Sequence, residues 1–243
     1  MELTILGCSG SYGGPHAGAC SGYLVRDGSS TVWIDCGNGT FGHLQEHVAV
    51  EDLTALVITH AHPDHCVDLY GLHVMCRYAL HRVGLPVYAP AGLERHLGTL
   101  VDGDWGGTFS WHDIDPSQPV TVGSMSLRFA RTDHPPPTYA VEITANGSRF
   151  VYTSDTGPGW SVAAFPPGAD LVLSEATYLH DSKSAPIHLS AKEAGAAARA
   201  ADAHRLMLTH VWPQLDPALI AAEGSGAFGA PVILAEPGLV TAV

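Results

Sequence analysis

Four potential metal ligands lie within six consecutive residues of this chain, directly after an apolar run. The run, residues 54–59, has the length and composition of a buried strand. The segment that follows, residues 60–65, reads His-Ala-His-Pro-Asp-His. Alternate side chains of an extended segment point the same way, so we expect His60, His62 and Asp64 to face one side. The last histidine of the segment starts a helix and faces a neighbouring point, so one loop supplies ligands for two metal ions about 3.5 to 4 Å apart.

Histidine is the unusual component of the composition. Its 15 copies exceed the 11 lysines and arginines together, and neutral imidazole is the commonest protein ligand for metals. The formal charge is −13, so few cations are present to neutralise a nucleic-acid backbone, and a long DNA or RNA partner is disfavoured. With 46% apolar and 14% charged residues, disorder is excluded. The 243 residues suit one domain, 1–243.

The sequence lacks the features of secreted and membrane proteins. The first residues, Met-Glu-Leu-Thr-Ile-Leu-Gly, show no basic segment followed by a sustained apolar stretch, and no run of 18 apolar residues occurs later. The five cysteines are odd in number and form no Cys-x-x-Cys pair, which is unlike a disulfide framework. We therefore expect a cytoplasmic protein with no membrane partner.

Apolar runs bounded by glycine or polar turns alternate with helix-like segments along the chain. Early strands cluster as in antiparallel pairs and later strands are mixed with helices, which predicts packed sheets with helices outside. Ser190 and Glu193 form a capping box for one helix, and apolar side chains recur at helical spacing from Val67 to Tyr78. The predicted strands are 2–7, 22–27, 31–35, 54–59, 124–131, 139–145, 149–154, 170–174 and 205–209, and a further helix is predicted at 39–48.

Three more candidate ligands each follow a predicted strand. His134 comes after 124–131, Asp155 after 149–154, and His210 after 205–209. A single His or Asp at a strand end is more often a capped or solvated loop residue. Taken together with segment 60–65, however, these three provide the additional ligands that a pair of metal ions needs.

With these motifs the sequence resembles the metallo-β-lactamase superfamily, and the resemblance covers nearly the whole chain. It implies an α/β (α+β) fold, a four-layer αββα sandwich of two sheets with helices outside. Asp35, within the segment Ile-Asp-Cys-Gly at 34–37, matches a family acid that orients the metal loop without binding metal. The alternative for Asp35 is a turn former at a strand end. The resemblance also implies the ligand sets: His60, His62 and His134 on one ion, Asp64, His65 and His210 on the other, and Asp155 bridging the two.

The implied cofactor is a pair of divalent ions, with zinc as the default and with manganese or iron compatible with shared carboxylates. Two such ions, two carboxylates and a bridging hydroxide leave a positive centre that attracts an anionic or oxygen-rich substrate. Coordination lowers the pKa of water from 15.7 to about 7, so the bridging hydroxide is the expected nucleophile.

Two further segments resemble the ribonuclease Z branch of phosphodiesterases, namely Ser-Glu-Ala-Thr-Tyr at 174–178 and His-Leu-Ser at 188–190. In that branch a His at the place of His188 contacts phosphate, and a Glu at the place of Glu175 steadies it. The catalytic residues expected here are therefore His188, Glu175 and Asp64, with His188 able to protonate the leaving alkoxide. A position beside a helix cap is the alternative for His188.

The chain departs from ribonuclease Z between His134 and Asp155, where that branch carries a long arm that grips transfer RNA. Only 21 positions separate the two residues, which leaves no room for the arm. Small bacterial relatives without the arm include cyclic-nucleotide phosphodiesterases, and the chain resembles them. The leading hypothesis is hydrolysis of a small anionic phosphodiester, 3′,5′-cyclic AMP above all. The family is often homodimeric, so a homodimer is also expected.

Three other functions stay open at this point. The first is processing of transfer RNA 3′ ends, as in ribonuclease Z. The second is hydrolysis of an ester, lactone or thioester metabolite, with His188 only polarising a carbonyl. The third is a metal-stabilised binding protein without turnover.

A substrate-facing surface is predicted from aromatic residues and one loop. The segment 102–112, rich in glycine and aromatic residues, is expected to be a mobile covering loop. Packing in a core is the commoner role of aromatic side chains, but four of them are candidates for stacking on a base: Tyr70, Trp105, Trp111 and Trp212.

Overall fold

Two seven-stranded sheets form the body of the protein in the computed structural model, which describes residues 1–14, 18–101 and 105–243. The strands are β1 (Glu2–Gly7), β2 (Gly22–Asp27), β3 (Ser30–Ile34), β4 (Ala55–Val57), β5 (Leu85–Ala89), β6 (Phe109–Asp113), β7 (Val120–Val122), β8 (Met125–Arg131), β9 (Tyr139–Ala145), β10 (Ser148–Tyr152), β11 (Leu171–Glu175), β12 (Leu206–Thr209), β13 (Ile233–Leu234) and β14 (Val240–Ala242). The first sheet has the order β14-β1-β2-β3-β4-β5-β6, and the second has the order β13-β12-β11-β10-β9-β8-β7.

Both sheets combine antiparallel and parallel pairs. In the first sheet the pairs from β14 to β3 are antiparallel and those from β3 to β6 are parallel. In the second sheet the pairs from β7 to β10 are antiparallel and those from β10 to β13 are parallel. It follows that β8, β10, β11 and β12 run in one direction, so the loops after them meet at one edge of the sheet.

The main core lies between the two sheets. Ile5 and Val57 of the first sheet belong to the same fully buried apolar cluster as Val141 and Leu173 of the second. Side chains alternate across each strand, so every second residue of these strands points away from this core. The outer faces therefore need a covering of their own.

Helices supply that covering on both sides. Leu44 and Leu72 belong to a buried cluster with Trp33 on the outer face of the first sheet, and Ala194 and Ile220 belong to another with Leu208 on the second. The predicted four-layer αββα order is thereby confirmed. The helices are α1 (Thr40–His47), α2 (Pro63–Cys66), α3 (Leu69–Val74), α4 (Leu93–Gly98), α5 (Ala191–Ala200) and α6 (Pro217–Phe228), with a π-helical turn at Met75–Leu80 and 3-10 turns at Val50–Asp52, Val162–Ala164 and His180–Ser182.

The start of α5 confirms the predicted capping box. The Ser190 hydroxyl accepts a hydrogen bond from the Glu193 amide at 3.2 Å, and the Glu193 carboxylate accepts one from the Ser190 amide at 2.8 Å. Further along, α5 packs closely on α6, because a Cβ at Gly195 would lie 2.5 Å from the carbonyl oxygen of Gly224. Small residues are required at this contact.

The prediction of a covering loop at 102–112 is wrong for the part that the structure describes; residues 102–104 lie outside it. Residues 109–112 belong to β6, which pairs parallel with β5. Trp105 is only 4% exposed, and its ring centroid lies 5.7 Å from that of Tyr70 and 5.6 Å from that of Trp111. These aromatic residues pack in the apolar cluster between the first sheet and its helices. Their packing holds this segment against the body of the protein, although its glycines are typical of a loop.

Several elements differ from the sequence-based expectation. Helical structure between Val67 and Tyr78 is confirmed, but its apolar positions do not all face the core, since Val74 is 54% and Tyr78 is 67% exposed. No helix among the described residues is long and apolar enough to cross a membrane. Six strands and helices had no prediction: β5, β7, β13, β14, α4 and α6.

Candidate metal centre

The loop after β4 is fixed between the two sheets. The amide of Thr59 donates to Oδ1 of Asp35 at 2.8 Å, and the Thr59 carbonyl accepts a hydrogen bond from the amide of Tyr139 at 3.1 Å. Pro63 then opens α2, at a position where a helix does not need the missing N–H. The loop therefore presents its histidines from a rigid backbone that is anchored on both sides.

The first group of candidate ligands is formed by His60, His62, His134 and Asp155, whose ligating atoms lie within 4.8 Å of one another. Nδ1 of His62 lies 3.1 Å from Nε2 of His60 and 3.2 Å from Nε2 of His134. Nδ1 of His134 donates to the carbonyl oxygen of Ile187 at 2.9 Å, which leaves its Nε2 with a free lone pair. Three imidazole nitrogens thus converge on one point.

The second group is formed by Asp64, His65 and His210. Oδ2 of Asp64 lies 3.3 Å from Nε2 of His210 and 3.7 Å from Nε2 of His65. Both rings are fully buried, while the side chain of Asp64 is slightly exposed. Asp64 and His65 are neighbours in the chain, and the fold brings the distant His210 next to them.

Asp155 lies between the two groups and is almost completely buried. Its Oδ2 is 3.6 Å from Nε2 of His60, 3.8 Å from Nε2 of His134 and 3.5 Å from Nε2 of His210. Its Oδ1 is 3.4 Å from Nε2 of His65. One carboxylate thus faces ligands of both groups, which is the arrangement that a bridging ligand requires.

Asp35 supports the centre from behind and is fully buried. Its Oδ2 accepts hydrogen bonds from Nδ1 of His65 at 2.8 Å, from the Thr59 hydroxyl at 2.9 Å and from the Tyr152 hydroxyl at 3.1 Å. The contact with Nδ1 fixes the His65 ring so that Nε2 points into the centre. This is the orienting position that the sequence predicted for Asp35.

Two buried polar atoms of the centre have no hydrogen-bond partner among the described residues, Nε2 of His65 and Oδ1 of Asp155. The two atoms lie 3.4 Å apart, so they border the same space. A buried polar atom without a partner costs about 1–3 kcal/mol, and a cation between them satisfies both. Imidazole nitrogens with shared carboxylate oxygens suit zinc, manganese or iron. The residues present therefore fit a pair of divalent ions.

Burial favours the neutral form of most histidines in the centre, which leaves a ring nitrogen available to bind a cation. Burial lowers the pKa of His60 well below its usual range, and it also lowers the pKa of His62 and His134. Burial also acts to lower the pKa of His65, but nearby carboxylates, first that of Asp155, outweigh it and raise this pKa well above its usual range. A metal ion bound at His65 must therefore displace a proton.

His188 and Glu175 form a buried pair next to the two groups. Nδ1 of His188 lies 3.1 Å from Oε1 of Glu175. The carboxylate is itself fixed by hydrogen bonds from the amides of Thr156 at 2.7 Å and Leu189 at 3.1 Å. Burial lowers the pKa of His188, but the hydrogen bond and charge of Glu175 outweigh it and raise this pKa to about 9. Glu175 therefore favours the positively charged form of the ring.

The position of His188 also allows a third grouping, with Asp155 and His210. Nδ1 of His188 is 3.9 Å from Oδ2 of Asp155, farther than from Glu175. Because Nδ1 is directed at Glu175, Nε2 is the nitrogen left for a substrate. The geometry favours a proton donor over a metal ligand at this position.

Sequence reasoning missed three supporting hydroxyls, those of Thr59, Tyr152 and Thr177. Thr177 Oγ1 donates to Oε2 of Glu175 at 2.7 Å and lies 2.9 Å from Nδ1 of His210. The position of Thr59 directly before the histidine segment was an available signal. For Tyr152 the sequence held no signal, because its partner lies 117 positions away in the chain.

Of the four aromatic candidates, only Trp212 lies near the centre. Its ring centroid is 6.0 Å from that of Tyr178, which lies 6.2 Å from that of His188. Tyr70, Trp105 and Trp111 belong to the cluster on the outer face of the first sheet. They are therefore packing residues.

Two cations near the centre in the sequence, Arg131 and Lys183, already have partners. Arg131 donates to the carbonyl oxygen of His134 at 3.1 Å, and Lys183 pairs with Glu193 at 2.7 Å. Within the described ranges, Asp64 and Asp155 have only histidines as ion-pair partners. Among the described residues, positive charge next to these two carboxylates therefore comes from histidines, and bound metal ions would add to it.

Comparisons with known proteins agree with this geometry. The model of the beta-lactamase superfamily domain matches residues 30–211. An uncharacterized protein of Mycobacterium tuberculosis is 34% identical, over 96% of this chain and 88% of its own length. The probable metallo-hydrolase YhfI of Bacillus subtilis is 31% identical, over 87% of both chains. The ribonuclease Z of Haloarcula marismortui is 27% identical, over 98% of this chain and 96% of its own length.

The crystal structure of YhfI, a metallo-beta-lactamase fold protein, superposes closely on this chain. The TM-score is 0.89 at 28% identity, and the superposition covers 99% of each chain. The similarity therefore includes both sheets and the loops between them that hold the candidate ligands.

Proposed function

The chain belongs to the beta-lactamase superfamily as a metallo-hydrolase, and from that premise we propose that it hydrolyses a small phosphodiester, with a cyclic nucleotide such as 3′,5′-cyclic AMP as the leading substrate. Zinc is the metal that we propose for the two groups of ligands. Their proposed composition is His60, His62 and His134 for one ion, Asp64, His65 and His210 for the other, and Asp155 for both.

The observation that carries the proposal is the buried pair of His188 and Glu175, 3.1 Å apart. An alkoxide is a poor leaving group and needs a proton as the P–O bond breaks, whereas a thiolate can leave without one. A histidine that a carboxylate keeps protonated beside the metal ligands meets that need. The pair therefore favours a phosphodiester over a thioester.

The metal ligands, His188 and Asp35 have separate roles in the proposed reaction. Divalent ions bound here would activate water and neutralise charge on the phosphate. His188 gives the proton on Nε2 to the leaving oxygen, while its other proton stays directed at Glu175. Asp35 holds the ring of His65 in place during turnover.

Two features support a small substrate. His134 and Asp155 are only 21 positions apart in the chain. The alignment with the ribonuclease Z of Haloarcula marismortui runs over 306 positions, so that relative carries segments that this chain of 243 residues lacks. The site also draws little on arginine and lysine, since no described arginine or lysine forms an ion pair with Asp64 or Asp155. A homodimer and a cytoplasmic location stay predictions from the sequence.

The test compares three substrates on purified, zinc-loaded protein: 3′,5′-cyclic AMP, bis-p-nitrophenyl phosphate and a thioester. We expect turnover of the phosphodiesters, and a fall in kcat of about 10²–10⁴-fold for cyclic AMP in H188A with unchanged metal content. H204A is the matched control, because His204 is an exposed histidine that also faces a carboxylate, that of Asp170 at 3.3 Å. Turnover of the thioester alone, or no turnover with two metals bound, would refute the proposal.

A further inference from the structure

A groove of about 390 Å³ opens beside His62, at one end of the first ligand group. It lies where the histidine segment, the end of β5, the start of α4 and the loop after His134 meet. Its walls include Ala61, Pro90, Leu93, His96, Pro136 and Pro137.

The groove is continuous with the candidate centre. Within the first group His60 is fully buried and His134 is 3% exposed, whereas His62 is half-buried and lines the groove. A substrate whose phosphate rests on this group therefore has the groove directly beside it.

The walls of the groove define what it can bind. Among the described residues that line it, none is Asp, Glu, Lys or Arg, and most are alanine, proline or leucine. Such walls suit an uncharged group. The volume lies within the range of roughly 300–1,000 Å³ that is typical of small-molecule sites.

The position of His188, the proposed proton donor, determines which part of the substrate lies in the groove. The ring centroid of His134 lies 5.0 Å from that of His62, which lines the groove, and 5.0 Å from that of His188. The leaving oxygen must face His188, so the substituent that stays on phosphorus is the part of the substrate left for the groove beside His62. In a cyclic nucleotide both ester oxygens belong to one sugar, so the nucleoside stays on phosphorus after one P–O bond breaks.

From these observations we infer that the groove beside His62 binds the neutral nucleoside portion of the substrate and selects for it, with His96 as the polar contact. The inference rests on the proposed phosphodiesterase function. It makes the groove a determinant of specificity that contributes nothing to the chemical step.

The experiment uses two esters with the same leaving group, thymidine 5′-p-nitrophenyl phosphate and methyl p-nitrophenyl phosphate, on the zinc-loaded protein. We expect kcat/KM to be at least about tenfold higher for the nucleoside ester. In A91W an exposed wall residue is enlarged to fill the groove. This variant should lose about tenfold on the nucleoside ester and stay within about twofold on the methyl ester. The matched control, A222W, enlarges an exposed alanine on α6 and should change neither value.

A binding measurement separates failure of the inference from failure of the proposed function. Adenosine titrated calorimetrically into the zinc-loaded protein should bind to wild type and A222W, weakly to H96A, and not to A91W. If adenosine binds in this pattern but neither ester is hydrolysed, the phosphodiesterase function is refuted and the assignment of the groove stands. Equal kcat/KM for the two esters would overturn the assignment of the groove. A preference for the nucleoside ester that is lost in W212L but kept in A91W would also overturn it, because the nucleoside would then contact Trp212 and not the groove.

Discussion

Thr177 Oγ1 lies 2.9 Å from Nδ1 of His210. The same hydroxyl donates its proton to Oε2 of Glu175 at 2.7 Å, so its oxygen accepts the Nδ1 proton of His210. In the neutral ring this contact selects the tautomer whose lone pair is on Nε2, which lies 3.5 Å from Oδ2 of Asp155. Because Glu175 also holds His188, one buried carboxylate supports both the proposed proton donor and a candidate metal ligand.

The first prediction concerns Thr177. T177V keeps the shape of the side chain but removes the acceptor for His210, so we expect the affinity of the second metal ion to fall about 10- to 100-fold. Calorimetric zinc titration of the metal-free protein measures the change. T121V, at an exposed position of β7, is the control and should match wild type. Unchanged affinity for both ions in T177V would show that this contact does not orient His210.

The second prediction concerns Asp155. D155A removes the carboxylate that faces both ligand groups, so we expect loss of both metal ions and of most activity. Elemental analysis after dialysis gives the metal content per chain. D170A, which removes a partly exposed carboxylate next to His204, should keep both ions. Two ions per chain in D155A would contradict the bridging role.

The third prediction concerns the alkaline side of the pH profile. Glu175 raises the pKa of His188 to about 9 against the effect of burial, so the ring is charged below that pH and loses its proton above it. Activity on cyclic AMP should therefore fall as pH rises, with a midpoint at or below about pH 9 because bound cations nearby disfavour the charged ring. In E175Q the midpoint of kcat against pH should move to lower pH. A profile that is flat up to pH 10, or that is the same in E175Q, would count against His188 as the proton donor.

The fourth prediction concerns stability and a residue far from the centre. Burial raises the pKa of Glu142 on β9 above its usual range, although Arg149 at 3.9 Å and Arg128 at 4.0 Å act in the opposite direction. The folded protein thus holds this proton more tightly than the unfolded chain, and the resulting stabilisation is lost as pH rises through the raised pKa. E142Q stays neutral, so its stability relative to wild type should increase between pH 4 and pH 7.5.

Urea unfolding of metal-free wild type, E142Q and the exposed control E51Q at these two pH values tests this prediction. Metal-free protein is used because ligand histidines lose metal in acid. A relative stability of E142Q that falls toward neutral pH would mean that the ion pairs with the arginines outweigh burial.

Much of the sandwich could be predicted from local sequence. Strands such as β1, β2 and β9 have the predicted bounds because mainly apolar segments, rich in β-branched and aromatic residues, end at glycine or polar turns. The shorter strands escaped prediction for physical reasons. β5 contains a proline, and β6 follows glycines and carries histidine and aspartate at its exposed end, so each is fixed by pairing with its neighbour more than by its own composition.

The candidate centre could be located from sequence because its ligands follow strands. Loops at the same edge of a sheet meet, so His134, Asp155 and His210 come together with the histidine segment although long stretches of chain separate them. The supporting contacts could not be predicted in this way. The hydrogen bond from Tyr152 to Asp35 joins the two sheets, and it depends on their packing register.

The number and position of bound metal ions test the central claim most directly. An anomalous-scattering map from crystals of the purified protein, recorded at the absorption edge of the metal found by elemental analysis, gives both. We predict two peaks about 3.5 to 4 Å apart on either side of Asp155, one next to His60, His62 and His134 and the other next to Asp64, His65 and His210. A single peak, or none, in crystals grown with excess zinc would contradict the account.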